Sequence, residues 1–236
     1  MRPVLTVVLS VALVLLVSIT LFGSTLLPNP LKSIDATGVL STYSINGGVD
    51  TTNPFFQNLG TNGRTCNCCH ISSSAWAITP ADVQAKFAAS AGTDPIFRPN
   101  DGSNCPSADV STVKARRAAY SQLLSKALIR VSIAVPPGAE FQIIGIQDPY
   151  HCPETTASAP ALYRRPLPAA NLKFLSAVMW DGRETIFPDA TKKSIDLVQS
   201  LSNQAANATM GHAQGVAPTA QQLSQIVSFE TGLFTA

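Results

Sequence analysis

From Val4 to Phe22 the chain runs 19 residues with neither a charge nor a proline, behind a lone Arg2, and then breaks into Gly23, Ser24, Pro28 and Pro30. A positive start before an apolar run is the pattern of an export segment. The run is longer than the usual core of a signal peptide and approaches the roughly 20 residues that span a bilayer. Residues 1–24 therefore read as a cleaved signal peptide or a retained membrane anchor. A buried core helix is the weaker alternative, because a core helix at a chain start rarely lacks polar residues on every face. Residues 25–50 read as a linker, running into surface loops to about residue 60. They are rich in Gly, Ser, Thr, Asn and Pro and carry little periodicity. The remainder, 51–236, reads as the folded domain.

Within that domain the apolar spacing predicts helices. Thr79-Pro80-Ala81-Asp82 is a helix start, with Thr79 as N-cap, Pro80 in the first position and Asp82 closing the box; Val83 and Phe87 share a face and Gly92 ends it. A second helix fits Val110–Leu128, with Leu123, Leu124, Ala127 and Leu128 inward. The β-branched runs Ile129–Ala134 and Glu140–Ile146 flank Pro136-Pro137-Gly138 and predict a small hairpin. Pro153–Pro168 reads as an extended, proline-rich loop. A third helix spans about Lys193 to Met210, with Leu197, Val198, Leu201, Ala205 and Ala208 at helical spacing. A fourth starts at Thr219, where Gln222 completes a capping box before Leu223, Ile226 and Val227. The ending Phe234-Thr235-Ala236 is apolar, which reads as a chain recorded short of a natural terminus. The fold class expected from this pattern is mainly α, with a small hairpin and long loops.

Composition narrows the function classes. The 16 Lys+Arg against 14 Asp+Glu leave a net charge of +2, and no basic cluster is present. An electrostatic nucleic-acid binder is thereby excluded. Charged residues are 13% of the chain, about half the roughly 25% of an ordinary soluble protein. With 17 Pro and 14 Gly, long coiled coils are excluded as well. The 236 residues suffice for one large domain with its own core, without a disulfide scaffold.

The chemistry concentrates in Cys66-Asn67-Cys68-Cys69-His70. Cys66, Cys69 and His70 form C-x-x-C-H, the signature of c-type haem attachment. Two thiols three positions apart can join the two vinyl groups on one porphyrin edge, and the adjacent His70 then serves as proximal iron ligand. Export favours this reading, because covalent haem is attached outside the cytoplasm. Zinc at Cys66, Cys68, Cys69 and His70 competes, although structural zinc sites usually pair two short knuckles. A disulfide-bonded cluster competes too. Of the 5 cysteines, the two thioether positions leave an odd three. Cys105 and Cys152 are a plausible disulfide in an oxidising compartment, and Cys68 is an unusual neighbour for haem thiols.

Several segments together resemble the bacterial di-haem cytochrome c peroxidases and MauG-like proteins. Gly63-Arg64-Thr65-Cys66 through His70, followed by Trp76 and Thr79-Pro80, is similar to their first haem loop. Val178-Met179-Trp180-Asp181-Gly182-Arg183-Glu184 resembles their W-D-G-R segment, followed by a helix containing Gln204-Ala205. Tyr163–Pro168 and the closing Ile226–Phe234 look like the large, less-studied branch of the family. The likeness covers roughly residues 50–236. It implies a cytochrome c-like haem domain and the reduction of hydrogen peroxide, or an oxidation driven by it. Electrons would come from a small cytochrome or copper protein. The family builds its machine from two haem domains, commonly with a calcium ion between them, whereas this chain holds one C-x-x-C-H.

Carried over residue by residue, the resemblance makes Trp180 an electron relay and places Gln204 on the peroxide side. Where the peroxidases have a Glu ten positions after that Gln, this chain has Gln214. A neutral amide cannot shuttle a proton, so His212 is the candidate general acid/base. A solvated loop His is the competing reading. His151 is a candidate sixth iron ligand, against a plain loop His. Arg183 and Arg64 are candidate partners of the haem propionates. The expectation is a periplasmic or otherwise extracytoplasmic haem c peroxidase, with a membrane tether and a homodimer left open. The rival classes are a non-enzymatic mono-haem electron carrier and a zinc or structural module.

Overall fold

The computed structural model describes residues 26–35, 38–189, 191 and 194–235. Residues 1–24, expected as a signal peptide or anchor, lie outside them, and no helix among the described residues is long and apolar enough to cross a membrane. In chain order the elements are β1 (Leu26–Leu27), β2 (Leu31–Asp35), β3 (Gly38–Ser44), β4 (Val49–Asp50), α1 (Pro80–Ser90), α2 (Val113–Ala119), α3 (Ser121–Lys126), β5 (Ile129–Ser132), β6 (Ala161–Arg164), α4 (Leu197–Gly211), α5 (Ala220–Thr231) and β7 (Leu233–Thr235). Short 3-10 turns at Pro54–Phe56, Cys66–Cys68, Ser72–Ser74 and Leu172–Phe174 punctuate the loops.

The fold is mixed α/β rather than mainly α. Among the described residues seven short strands form three small sheets beside five helices. The physical reason lies in residues 25–60, expected as linker and loops. Strand β3 pairs on one edge with β2 and on the other with β7, Thr42 facing Thr235 across the whole length of the domain. The third strand of this sheet comes from the far end of the chain, so nothing local announces that pairing. The chain's closing residues, expected as the apolar tail of the last helix, supply the third strand of that sheet.

Two further expectations change. Ile129–Ser132 does form a strand, but its partner is β6, within the supposed proline-rich loop, with Val131 opposite Leu162. Glu140–Ile146 forms no strand. The helix expected over Val110–Leu128 is two short helices, broken at Tyr120 (φ −100°, ψ 19°). The capping boxes behave as their chemistry dictates. Thr79 accepts from the Asp82 N–H, and Thr219 accepts from the Gln222 N–H.

Three apolar clusters fill the interior. One joins Ile78, Val83 and Phe87 of the α1 region to Phe97, Tyr120 and Leu123. A second gathers Val49, Phe55, Trp76, Ile226, Phe229 and Leu233. A third holds Leu172, Val178, Leu201 and Val227. The loop before the cysteine motif and the loop after α4 meet backbone to backbone. Thr61 N–H donates to the Ala213 carbonyl at 3.1 Å, and the Thr61 hydroxyl donates to the Gln214 carbonyl at 2.9 Å. Glycines make this approach possible. A Cβ at Gly60 would stand 2.0 Å from the Ala213 oxygen, and one at Gly215 would stand 2.5 Å from the Leu59 oxygen. Gly60→Ala is therefore expected to destabilise the protein by about 3 kcal/mol through overpacking of backbone on backbone. Gly145→Ala, where a Cβ meets nothing within 4 Å, leaves the thermal midpoint unchanged. Thermal denaturation of the two variants side by side checks the contrast.

Candidate functional site

Thr65 enters the 3-10 turn Cys66–Cys68, and the amide N–H groups of both Cys69 and His70 donate to the Cys66 carbonyl, at 3.1 and 3.0 Å. The tight turn brings Cys66, Cys69 and His70 together. All three motif cysteines are free thiols. Cys66 packs against the Trp76–Phe229 cluster and Cys69 against the Phe87–Leu123 cluster. Burial pushes both thiols up, with Glu230 adding to the effect at Cys66. Cys69 is pushed up to about 12. These are protonated thiols, not ready-made thiolate ligands. Among the described residues no group of three or more His, Cys, Asp or Glu converges on a metal position.

His70 is anchored by its Nδ1, 3.0 Å from the Trp76 carbonyl. A carbonyl only accepts, so a proton on Nδ1 satisfies this contact, and the Leu167 backbone is a second hydrogen-bond partner of the same ring. Burial holds His70 below the usual imidazole range, with the His212 side chain close enough to add to that effect. A neutral, oriented imidazole beside two unoxidised thiols fits a c-type haem. Elsewhere in the chain Cys105 and Cys152 are joined in a disulfide, with Cα atoms 5.4 Å apart.

The structure adds Asp101, which sequence reasoning missed. Asp101 lies in the Pro99–Gly102 turn and is 5% exposed. One carboxylate oxygen receives Arg64 Nη1, and the other receives His212 Nδ1 at 2.5 Å. Burial alone would raise its pKa, but the His212 hydrogen bond and the Arg64 charge outweigh it and hold the carboxyl below its ordinary range. Arg64 spends its remaining donors on backbone, Nε to the Pro95 carbonyl at 2.9 Å and Nη2 to that of Ile96 at 2.7 Å. The candidate propionate partner is thus a buried anchor of the loop that carries the cysteine motif. His212 caps the C-terminus of α4, and its carbonyl receives Arg64 Nη1 at 3.1 Å and Asn62 Nδ2 at 2.7 Å.

Glu230 was also missed. It is buried on α5 with Oε2 lacking a hydrogen-bond partner, and burial pushes its carboxyl up to about 8. A signal did exist, since Glu230 lies four residues after the fully buried Ile226 and so on the same helical face. Asp101 offered none, because Pro-Asn-Asp-Gly reads only as a turn.

Trp180 is 65% exposed, its Nε1 3.4 Å from the Arg165 carbonyl. Arg183 makes a two-pronged contact with Asp181, both oxygens at 3.0 Å, while Glu184 receives Asn207 Nδ2. Gln204 lies on α4 beside the buried Ala205. His151, exposed and at φ 53°, lines an open depression of about 880 Å³ formed by Ile146–Asp148, Cys152 and Thr155, beside the disulfide. The structure thus groups Arg64, Cys66, Cys69, His70 and His212, and leaves His151 with the disulfide loop. Compared with known proteins, the chain matches no family model, no curated protein and no solved structure.

Proposed function

We propose that the chain is an extracytoplasmic c-type haem protein that reduces hydrogen peroxide with electrons from a small redox partner. The observation that carries the reading is the His70 anchor. A half-buried imidazole has its Nδ1 against the Trp76 carbonyl at 3.0 Å, next to two thiols that stay free while the other cysteine pair is oxidised. Cys66 and Cys69 would hold the haem by thioethers, and His70 Nε2 would ligate its iron. When bound, the haem supplies one-electron redox chemistry and a coordination position for a small oxygen ligand.

The protein's own residues supply the rest. His212, the candidate base that follows the helix carrying Gln204, accepts a proton from one peroxide oxygen and returns it to the leaving oxygen. Gln204 lines the same side. Trp180 is the exposed aromatic through which electrons enter.

Co-expression with a haem-maturation system, intact mass and absorption spectra test this. The expected result is one covalent haem whose spectrum changes on adding peroxide, with reduced cytochrome oxidised catalytically. Cys66→Ala with Cys69→Ala abolishes the covalent adduct, whereas Cys68→Ala retains it. Absence of covalent haem in the native chain overturns the reading. A haem whose spectrum ignores peroxide and added ligands assigns the chain to electron carriers.

A further inference from the structure

We propose that Asp101 is the positioning residue for His212, holding its imidazole as the Nδ1–H tautomer so that Nε2 is the bare nitrogen, with Arg64 fixing both. This deepens the peroxide-site reading and rests on it for what the bare nitrogen does.

The argument is one of donors and acceptors. Asp101 is a carboxylate, and a carboxylate only accepts, so the 2.5 Å contact places the imidazole proton on Nδ1. Asp101 has no freedom to offer another geometry. Its second oxygen is taken by Arg64 Nη1, and its own carbonyl accepts the Arg130 N–H at 2.7 Å. The same Nη1 reaches the His212 carbonyl at 3.1 Å. One guanidinium therefore grips the imidazole's backbone and the carboxylate that orients its ring. Arg64 stands two residues before Cys66, so the clamp ties the base to the turn that holds the candidate haem cysteines. A neutral histidine side chain free in water prefers its proton on Nε2, and the His212 side chain is 37% exposed. The opposite tautomer therefore requires an imposed partner. A neutral Nε2 without a proton is what taking a proton from a hydroperoxide demands. The same arrangement, a buried carboxylate fixing the tautomer of a base, is worth several orders of magnitude in rate in hydrolytic triads.

Stability alone does not separate this role from a structural one, since breaking a buried charge pair is costly in either case. The test reads the tautomer. Long-range proton–nitrogen NMR of the full chain, with neutral imidazole, is expected to show His212 protonated on Nδ1 and bare on Nε2. In Asp101→Asn the amide can donate to Nδ1, so the proton moves to Nε2 and kcat for peroxide falls at least tenfold with KM unchanged. Asp101→Glu, which keeps the acceptor, recovers the Nδ1–H tautomer. An Nε2–H tautomer in the native chain overturns the proposal. So does an Asp101→Asn protein with native tautomer and native kcat. If Asp101→Asn does not fold, the native-chain spectrum decides. The tautomer is read without haem, so failure of haem attachment would sink the peroxidase reading and leave this measurement standing.

Discussion

The stability of the protein is expected to fall as pH rises from 6.5 to 8, by about 2 kcal/mol, and Glu230→Gln is expected to remove that fall. A glutamate free in an unfolded chain titrates at 4.5, whereas burial pushes Glu230 up to about 8 in the folded state. Between those values the folded protein keeps a proton that the unfolded chain has released. Stability therefore declines with rising pH across that interval, at about 1.4 kcal/mol per unit where the difference is complete. His70 works in the opposite sense at the acid end. Burial lowers it from 6.5, so unfolding gains a proton below that value and stability there rises with pH. Above 6.5 this contribution is level, which leaves the interval up to 8 to Glu230. Asp101 acts lower still. Its carboxyl is held below 3.8, so its contribution is present above that value and lost as pH falls through its folded pKa. The two thiols are raised from 9 and enter only above it. Urea melts at half-unit steps, on native and Glu230→Gln protein, check both the slope and its removal.

Trp76→Ala is expected to cost about 3–5 kcal/mol, the range for truncating a buried aromatic. The indole is 1% exposed and packs edge-on against Phe55, Phe56 and Phe229, with ring centres 5.9, 6.3 and 5.4 Å away. Its Nε1 donates to the Thr42 hydroxyl at 3.0 Å, tying this cluster to the central strand of the β2–β3–β7 sheet. For a chain of this size the loss corresponds to a fall of roughly 10 °C in thermal midpoint. Trp180→Ala, at the exposed indole, is expected to stay within about 0.5 kcal/mol of native. Each tryptophan follows an apolar residue in the sequence, Ala75 or Met179. Only the structure separates a core residue from a surface one.

That contrast indicates how far the sequence reaches. Local signals were legible where local physics decides. The Thr79 and Thr219 caps, the inward Val83, Phe87 and Ile226, and the Cys66–His70 spacing all depend on residues within five positions of one another. What was not legible depends on distance along the chain. The β3–β7 pairing joins two ends of the domain, and β5 takes β6 as partner rather than the nearer Glu140–Ile146 run. The same limit governs the site. His212 could be singled out as a base, but the carboxylate that orients it lies 111 positions away, in a turn with no chemical signature. Arg64 was readable as a cation near the motif. Its burial among the Pro95 and Ile96 carbonyls was not.

The turn from Cys66 to Cys69 has a mechanical consequence. Its two ends are rooted in different hydrophobic clusters, Cys66 with the Trp76 group and Cys69 with the Phe87 group, only three residues apart. Any prosthetic group fastened to both sulfurs would act as a rivet through two plates. Loosening either cluster would then pull on the other through a rigid macrocycle, so the two halves would open together or not at all. Such a linkage would convert two modestly sized cores into one cooperative unit, and would keep the attachment point still while electrons arrive and leave.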